Sequence, residues 1–116
     1  LARERWLRAD VVANPSLVGA ARLRPVGMTT EPAGMKDAHP AAAIGEGSDG
    51  EAVLVICSTG FDLALVPLAA DARALHDPGA RLVIALPERD LHAATADLVA
   101  LLADPAELVA VPTGWG

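Results

Sequence analysis

Four residues close to predicted strand ends, Asp62, Arg89, Asp90 and His92, form the most chemically loaded set in the chain. Arg89 carries the planar fork that clamps a carboxylate or phosphate bidentately. Asp90 and His92 have the side chains of an acid/base pair. Simpler roles compete with these. Asp90 stands immediately before Leu91, where a helix N-cap favours an acid that accepts hydrogen bonds from the unpaired first N–H groups. His92 then falls in the exposed first turn. These four are the candidate ligand-binding residues, and no catalytic residue is assigned.

A second cluster is Cys57-Ser58-Thr59-Gly60, at the end of an apolar run. A cysteine nucleophile needs a neighbour that lowers its pKa, and no local histidine supplies one. The plainer reading is a small buried cysteine and then a hydrogen-bonding turn. A phosphate loop calls for more glycines and usually a lysine, so Gly60 alone is weak evidence for one. His39, His76 and His92 are the only histidines, and neither a paired histidine spacing nor a second cysteine accompanies them, so neither a metal site nor a cofactor is expected. His76 precedes Asp77 at a predicted helix C-terminus, where a cation suits the helix dipole. Met35, Lys36 and His39 are of interest only because they lie in a long loop.

The elements that would position these residues are set by a motif that occurs twice: a helical run, Asp-Pro, an apolar strand, then proline. The first copy spans Leu75 to Pro87 and the second Leu102 to Pro112. Asp77-Pro78 and Asp104-Pro105 end helices, since proline has no N–H to donate and biases its predecessor toward extended geometry. Leu68, Ala72 and Leu75 fall on one face of a helix that opens at Pro67 and ends at Asp77-Pro78. Leu91, Ala94, Leu98 and Leu101 fall on one face of another, running from Leu91 to Ala103.

Ala52 to Cys57 is a continuous apolar run suited to a strand buried on both faces. Two readings compete for the residues between Cys57 and Pro67. In one, Ser58 to Gly60 turns the chain into an antiparallel strand from Asp62 to Val66. In the other, the residues after Cys57 lead into the helix of a parallel crossover. The hairpin is the expectation, because it gives Leu63, Leu65 and Val66 a strand to belong to. Upstream, Leu1 to Ala9 reads as a helix with Arg3, Arg5 and Arg8 on its wet side. After the Asn14-Pro15 break, Ser16 could cap a short helix through Leu23, with an extended reading of Val18 to Val26 nearly as good. The chain thus divides into a basic helical or extended segment (1–28), a loop or linker (29–50) and an α+β core (51–116), together one domain. In the loop only Ala41-Ala42-Ala43-Ile44 could fold locally.

At 116 residues the chain can bury about two thirds of its unfolded surface without disulfide or metal. The 53% hydrophobic content overstates the core, because much of it is alanine and only 3% of residues are aromatic. Eight arginines against one lysine, with abundant Ala, Gly and Pro, point to a high-GC, bacterial source. One cysteine argues against an oxidised, secreted framework, and the absence of an apolar run of ~20 residues or a signal-peptide pattern makes cytoplasm the default. The chain opens at Leu1 instead of methionine, as a truncated or processed chain would.

The net charge of −6 is uneven: Leu1 to Arg24 carries +3 and the remainder −9. An acidic body with no tyrosine and one phenylalanine is poorly suited to phosphate backbones or stacked bases. The expected partner is a second copy of the chain or another protein, with no nucleic acid and no membrane. The basic head either meets that partner or lies against its own domain.

The segment Leu82-Val83-Ile84-Ala85-Leu86-Pro87-Glu88-Arg89-Asp90 is similar to a strand and Pro-x-Arg-Asp turn of uncharacterised bacterial proteins of unknown function. The resemblance implies an α+β domain and no known reaction. The expected architecture is a two-layer α+β domain: a mixed sheet of Ala52–Cys57, Asp62–Val66, Leu82–Leu86 and Leu108–Val111, with helices Pro67–His76 and Leu91–Ala103 packed on one face. A small three-layer α/β fold is the alternative. Function is expected to be that of a non-catalytic binding or assembly module, with a small enzyme or small-molecule binder near Asp62, Arg89 and Asp90 as the second choice.

Overall fold

The structure is a computed structural model that describes residues 3–26, 41–58, 65–87 and 107–112. Helix α1, Arg3–Ala13, forms where Leu7 and Val11, one turn apart, share a face that is wholly buried. It outruns the predicted helix by one turn and stops at Asn14-Pro15, as the proline requires. The predicted helix from Ser16 to Leu23 is replaced by a 3₁₀ turn, Pro15–Val18. Gly19 at φ 73° closes that turn, donating from its N–H to the Ser16 carbonyl at 3.1 Å. The left-handed geometry is cheap for glycine and ends the helical path early.

The extended alternative, Val18 to Val26, then holds over its later part: β1 is Arg22–Val26. β2, Ala41–Glu46, lies in the stretch read as a linker, around the one tetrapeptide thought able to fold. β3 is Ala52–Cys57, β4 Arg81–Pro87 and β5 Glu107–Val111. They form one mixed sheet in the order β1-β2-β3-β4-β5. The first two pairings are antiparallel, with Val26 opposite Ala42 and Ala41 opposite Cys57. The last two are parallel, with Cys57 opposite Ala85 and Pro87 opposite Val111.

The parallel pairing overturns the hairpin. Leu65 and Val66 do not belong to a strand; they open helix α2, Leu65–His76, which carries the chain from the end of β3 back to the start of β4. Two physical reasons account for the error. The free edge of β3 is already occupied by β2, and Pro67 is tolerated as the third helical residue, within the turn whose N–H groups have no helical partner. The helix ends as the sequence predicts: Asp77 Oδ1 accepts from the Gly79 N–H at 2.9 Å, and β4 begins at Arg81.

Strand alternation builds an apolar cluster on each side of the sheet. Leu54, Ile56, Leu82, Ile84 and Leu86 lie with Ala69 and Ala72 of α2. Val53, Val55, Cys57, Val83, Ala85 and Val111 lie with Leu7 and Val11 of α1. The two described helices therefore serve opposite faces of the sheet. The expected second helix beside α2, Leu91–Ala103, lies outside the described residues. Of the predicted apolar stripe on α2, Ala72 is buried in the core as expected, joined there by Ala69, whereas Leu75 is 62% exposed.

Candidate functional site

Because β3 and β4 are parallel, their carboxyl ends finish together, the place where open α/β sheets commonly present a crevice. Cys57, Ser58 and Pro87 are buried at that end, and Val111 closes β5 beside Pro87. The antiparallel register brings two more termini there, the end of β1 at Val26 and the start of β2 at Ala41.

Among the described residues one cation reaches this end. Arg8, half-buried on α1, donates from Nη1 to the carbonyls of Val26 and Ala42, both at 3.4 Å. These long bonds tie α1 across the β1–β2 pairing at its last rung. Residue types alone place Arg8 on the wet side. Its helical position beside Leu7 and three before Val11, at the margin of the buried stripe, is the signal that could have placed it at the boundary.

The Cys57 thiol is pushed up to about 12 from an ordinary 9.0, chiefly by burial, with the Arg8 charge pulling weakly the other way. The thiolate is therefore scarce at neutral pH, and Cys57 is a poor nucleophile there. This agrees with reading it as a small core residue. Ser58 continues the strand by donating its N–H to the Ala85 carbonyl at 3.0 Å. Only 4% of Ser58 is exposed.

The four sequence candidates, Asp62, Arg89, Asp90 and His92, lie outside the described residues, as do Met35, Lys36 and His39. His76 is the last residue of α2, at the dipole's negative end. A residue missed by sequence reasoning is Arg81, at the opposite end of the sheet. Its Nη2 donates to the carbonyls of Val18 and Gly19 at 3.4 and 3.0 Å, and its Nη1 meets Glu107 Oε1 at 3.3 Å. Arg81 thereby fastens the turn after α1 to β4 and β5. It is a structural clasp, and its Nε is buried without a partner among the described residues.

Among the described residues no group of three or more His, Cys, Asp or Glu could hold a metal ion. No described helix is long and apolar enough to cross a membrane.

No protein-family model and no curated protein matches the chain. Among solved structures, the chain is similar to EndoMS in its apo form, with a TM-score of 0.64 at 15% sequence identity. The likeness covers 95% of this chain and 46% of the EndoMS chain, so this chain spans less than half the length of its structural neighbour. At that identity the likeness is one of fold.

Proposed function

We propose that the chain is a non-catalytic assembly module of a bacterial cytoplasm, and that it pairs with a second copy of itself through the outer side of α1. The observation that carries this reading is Trp6, 44% exposed on α1. Ala9 and Ala13 are exposed three and seven residues further on, along the same helix face. A bulky indole beside two methyl side chains is self-complementary about a two-fold axis: the ring of one copy covers the alanines of the other. Exposed Arg5 borders the patch, and tryptophan and arginine are the residue types that dominate binding energy at interfaces. The quiet chemistry at the strand ends agrees with a role without catalysis, since Cys57 is held protonated and Arg8 is engaged by main-chain carbonyls.

Sedimentation equilibrium tests the reading. A concentration-dependent dimer that becomes a monomer on Trp6→Ala, with an unchanged circular dichroism spectrum, is expected. A wild-type chain that stays monomeric across the range would remove it.

A nuclease-like enzyme is the second reading, favoured by the likeness of fold to EndoMS, an endonuclease. Fold alone does not carry an activity, and this reading would place the working groups at Asp62, Arg89, Asp90 and His92. Labelled DNA incubated with the chain and magnesium or manganese distinguishes the two. Cleavage abolished by Asp90→Asn would establish the enzyme, and neither cleavage nor retardation of the DNA is the outcome under the assembly reading.

A further inference from the structure

Taking a charge out of water is costly unless an opposite charge answers it. Arg8 is such a charge: it stands on α1 beside Leu7 and three residues before Val11, both wholly buried, and is itself half-buried. Its head is held at one level of the sheet. Nη1 donates to the carbonyl of Val26, the last residue of β1, and to that of Ala42, which lies opposite Ile56 near the end of β3. At 3.4 Å both bonds are long for an N–H group and oxygen, and the carbonyls are dipoles without formal charge. No carboxylate among the described residues lies within ion-pair distance of Arg8. The cation is positioned but not neutralised.

The geometry also keeps the two-pronged edge of the side chain in reserve. Both bonds come from Nη1, so the parallel N–H groups of Nε and Nη2, which together can take two oxygens of one anion, are uncommitted among the described residues. The one buried side-chain nitrogen or oxygen without a partner among those residues is Arg81 Nε, so this edge of Arg8 is not sealed from solvent. It stands at the carboxyl ends of the parallel strands β3 and β4, where open α/β sheets receive their ligands. The pull of the Arg8 charge on the Cys57 thiol places the guanidinium at that end independently of the two bonds.

We propose that Arg8 anchors a binding site for a small organic carboxylate, taken side-on by Nε and Nη2 at the ends of β3 and β4. Both nitrogens donate and the two carboxylate oxygens accept; the ligand is held and no bond in it is broken. Charge decides between a carboxylate and a phosphate. Among the described residues the site offers one positive charge, which one carboxylate cancels. A phosphate monoester brings about −1.5 to −2 and leaves an excess beside a chain whose net charge is already −6. Long-range repulsion by that net charge is screened beyond about 8 Å at physiological ionic strength, so contact with the guanidinium sets the affinity. Arg8 turns toward the β1–β2 pairing and Trp6 turns outward, so the site does not depend on the pairing of α1 with a second copy.

The Nε–H resonance of Arg8 in the nitrogen-15-labelled chain, titrated with sodium acetate against sodium chloride of matched ionic strength, tests the site. A saturable shift in acetate and none in chloride is expected, accompanied by shifts of the Ala42 and Cys57 backbone amides. Those amides also report on Arg8→Lys, which keeps the charge and loses the two-pronged edge. Its Kd for acetate should rise about tenfold or more, as loss of a hydrogen bond to a charged group does. Inorganic phosphate should bind the wild-type chain more weakly than acetate. Absence of a saturable acetate shift at Arg8 in the wild-type chain would overturn the proposal. So would undiminished acetate binding by a folded Arg8→Lys chain, and phosphate binding tighter than acetate would overturn the choice of ligand.

Discussion

The two halves of the sheet are built on different terms. β3 and β4 are aliphatic along nearly their whole length and buried on both faces, so water expulsion reinforces their hydrogen-bonded pairing. β1 and β2 are short of aliphatic area: β1 exposes Arg22, Arg24 and Pro25, and β2 begins with three alanines. Their pairing relies on fit. Gly45 lies so close to β1 that an added Cβ would run into the Arg22 carbonyl oxygen, and Arg8 stitches the far end through the Val26 and Ala42 carbonyls. The edge strand is also guarded, since a proline and two charged residues discourage a further strand from joining it. One half therefore tolerates any aliphatic residue of similar volume, and the other depends on particular residues at particular points.

The widest expected effect tests the aliphatic half. Ile84→Ala, at a side chain with no exposure, should lower stability by about 2 to 5 kcal/mol in chemical denaturation. A change of only a few tenths would mean that β4 is not the centre of the core. Next, Gly45→Ala should cost about 1 to 3 kcal/mol, the range for forcing atoms into a packed site. Hydrogen exchange sharpens this test: protection should fall in β1 and β2 and persist in β3 and β4. Equal loss across the sheet would show that the halves are not independent in the way described.

The thiol gives a smaller effect with a defined sign. Cys57 has a folded pKa of about 12 against 9.0, so the unfolded chain loses its proton first as pH rises. Stability should therefore fall from about pH 9 upward, by at most about 1.4 kcal/mol per pH unit, and level off near the folded value. Cys57→Ala should flatten that slope, and an unchanged slope would exclude the thiol as its source. Smallest is Arg81→Ala. Its ion pair with Glu107 is partly exposed, so the carbonyl bonds carry most of the effect, about 0.5 to 1.5 kcal/mol by thermal unfolding. Added salt should change that difference little, and a strong salt dependence would move the credit to the ion pair.

The same contrast explains what the sequence made legible. Ala52–Cys57, Leu82–Leu86 and Leu108–Val111 announce themselves through β-branched and aliphatic runs, and the Asp77-Pro78 break marks a helix end through backbone chemistry that tertiary context does not alter. Ala41–Glu46 gives no such signal. Alanine and glycine are depleted in strands, and this segment is one because β1 and β3 supply partners on both edges. The hairpin failed for the same reason, since the partner of β3 comes from upstream in a stretch that reads as loop. On α2, Ala72 lies in the core as its spacing predicts, whereas Leu75 is exposed and Ala69 joins the core instead. At the candidate site, the strand-end position of Cys57 and Ser58 was readable. The hold of Arg8 on two carbonyls was not, because it depends on a register visible only once β1 and β2 are paired.

Everything about the site depends on β3 and β4 running side by side in the same direction. Backbone nuclear Overhauser contacts between neighbouring strands test that directly. Parallel contacts that place Leu54 opposite Leu82 and Cys57 opposite Ala85 are predicted, with helical contacts along 65–76. Antiparallel contacts between 52–57 and 62–66 would contradict the crossover.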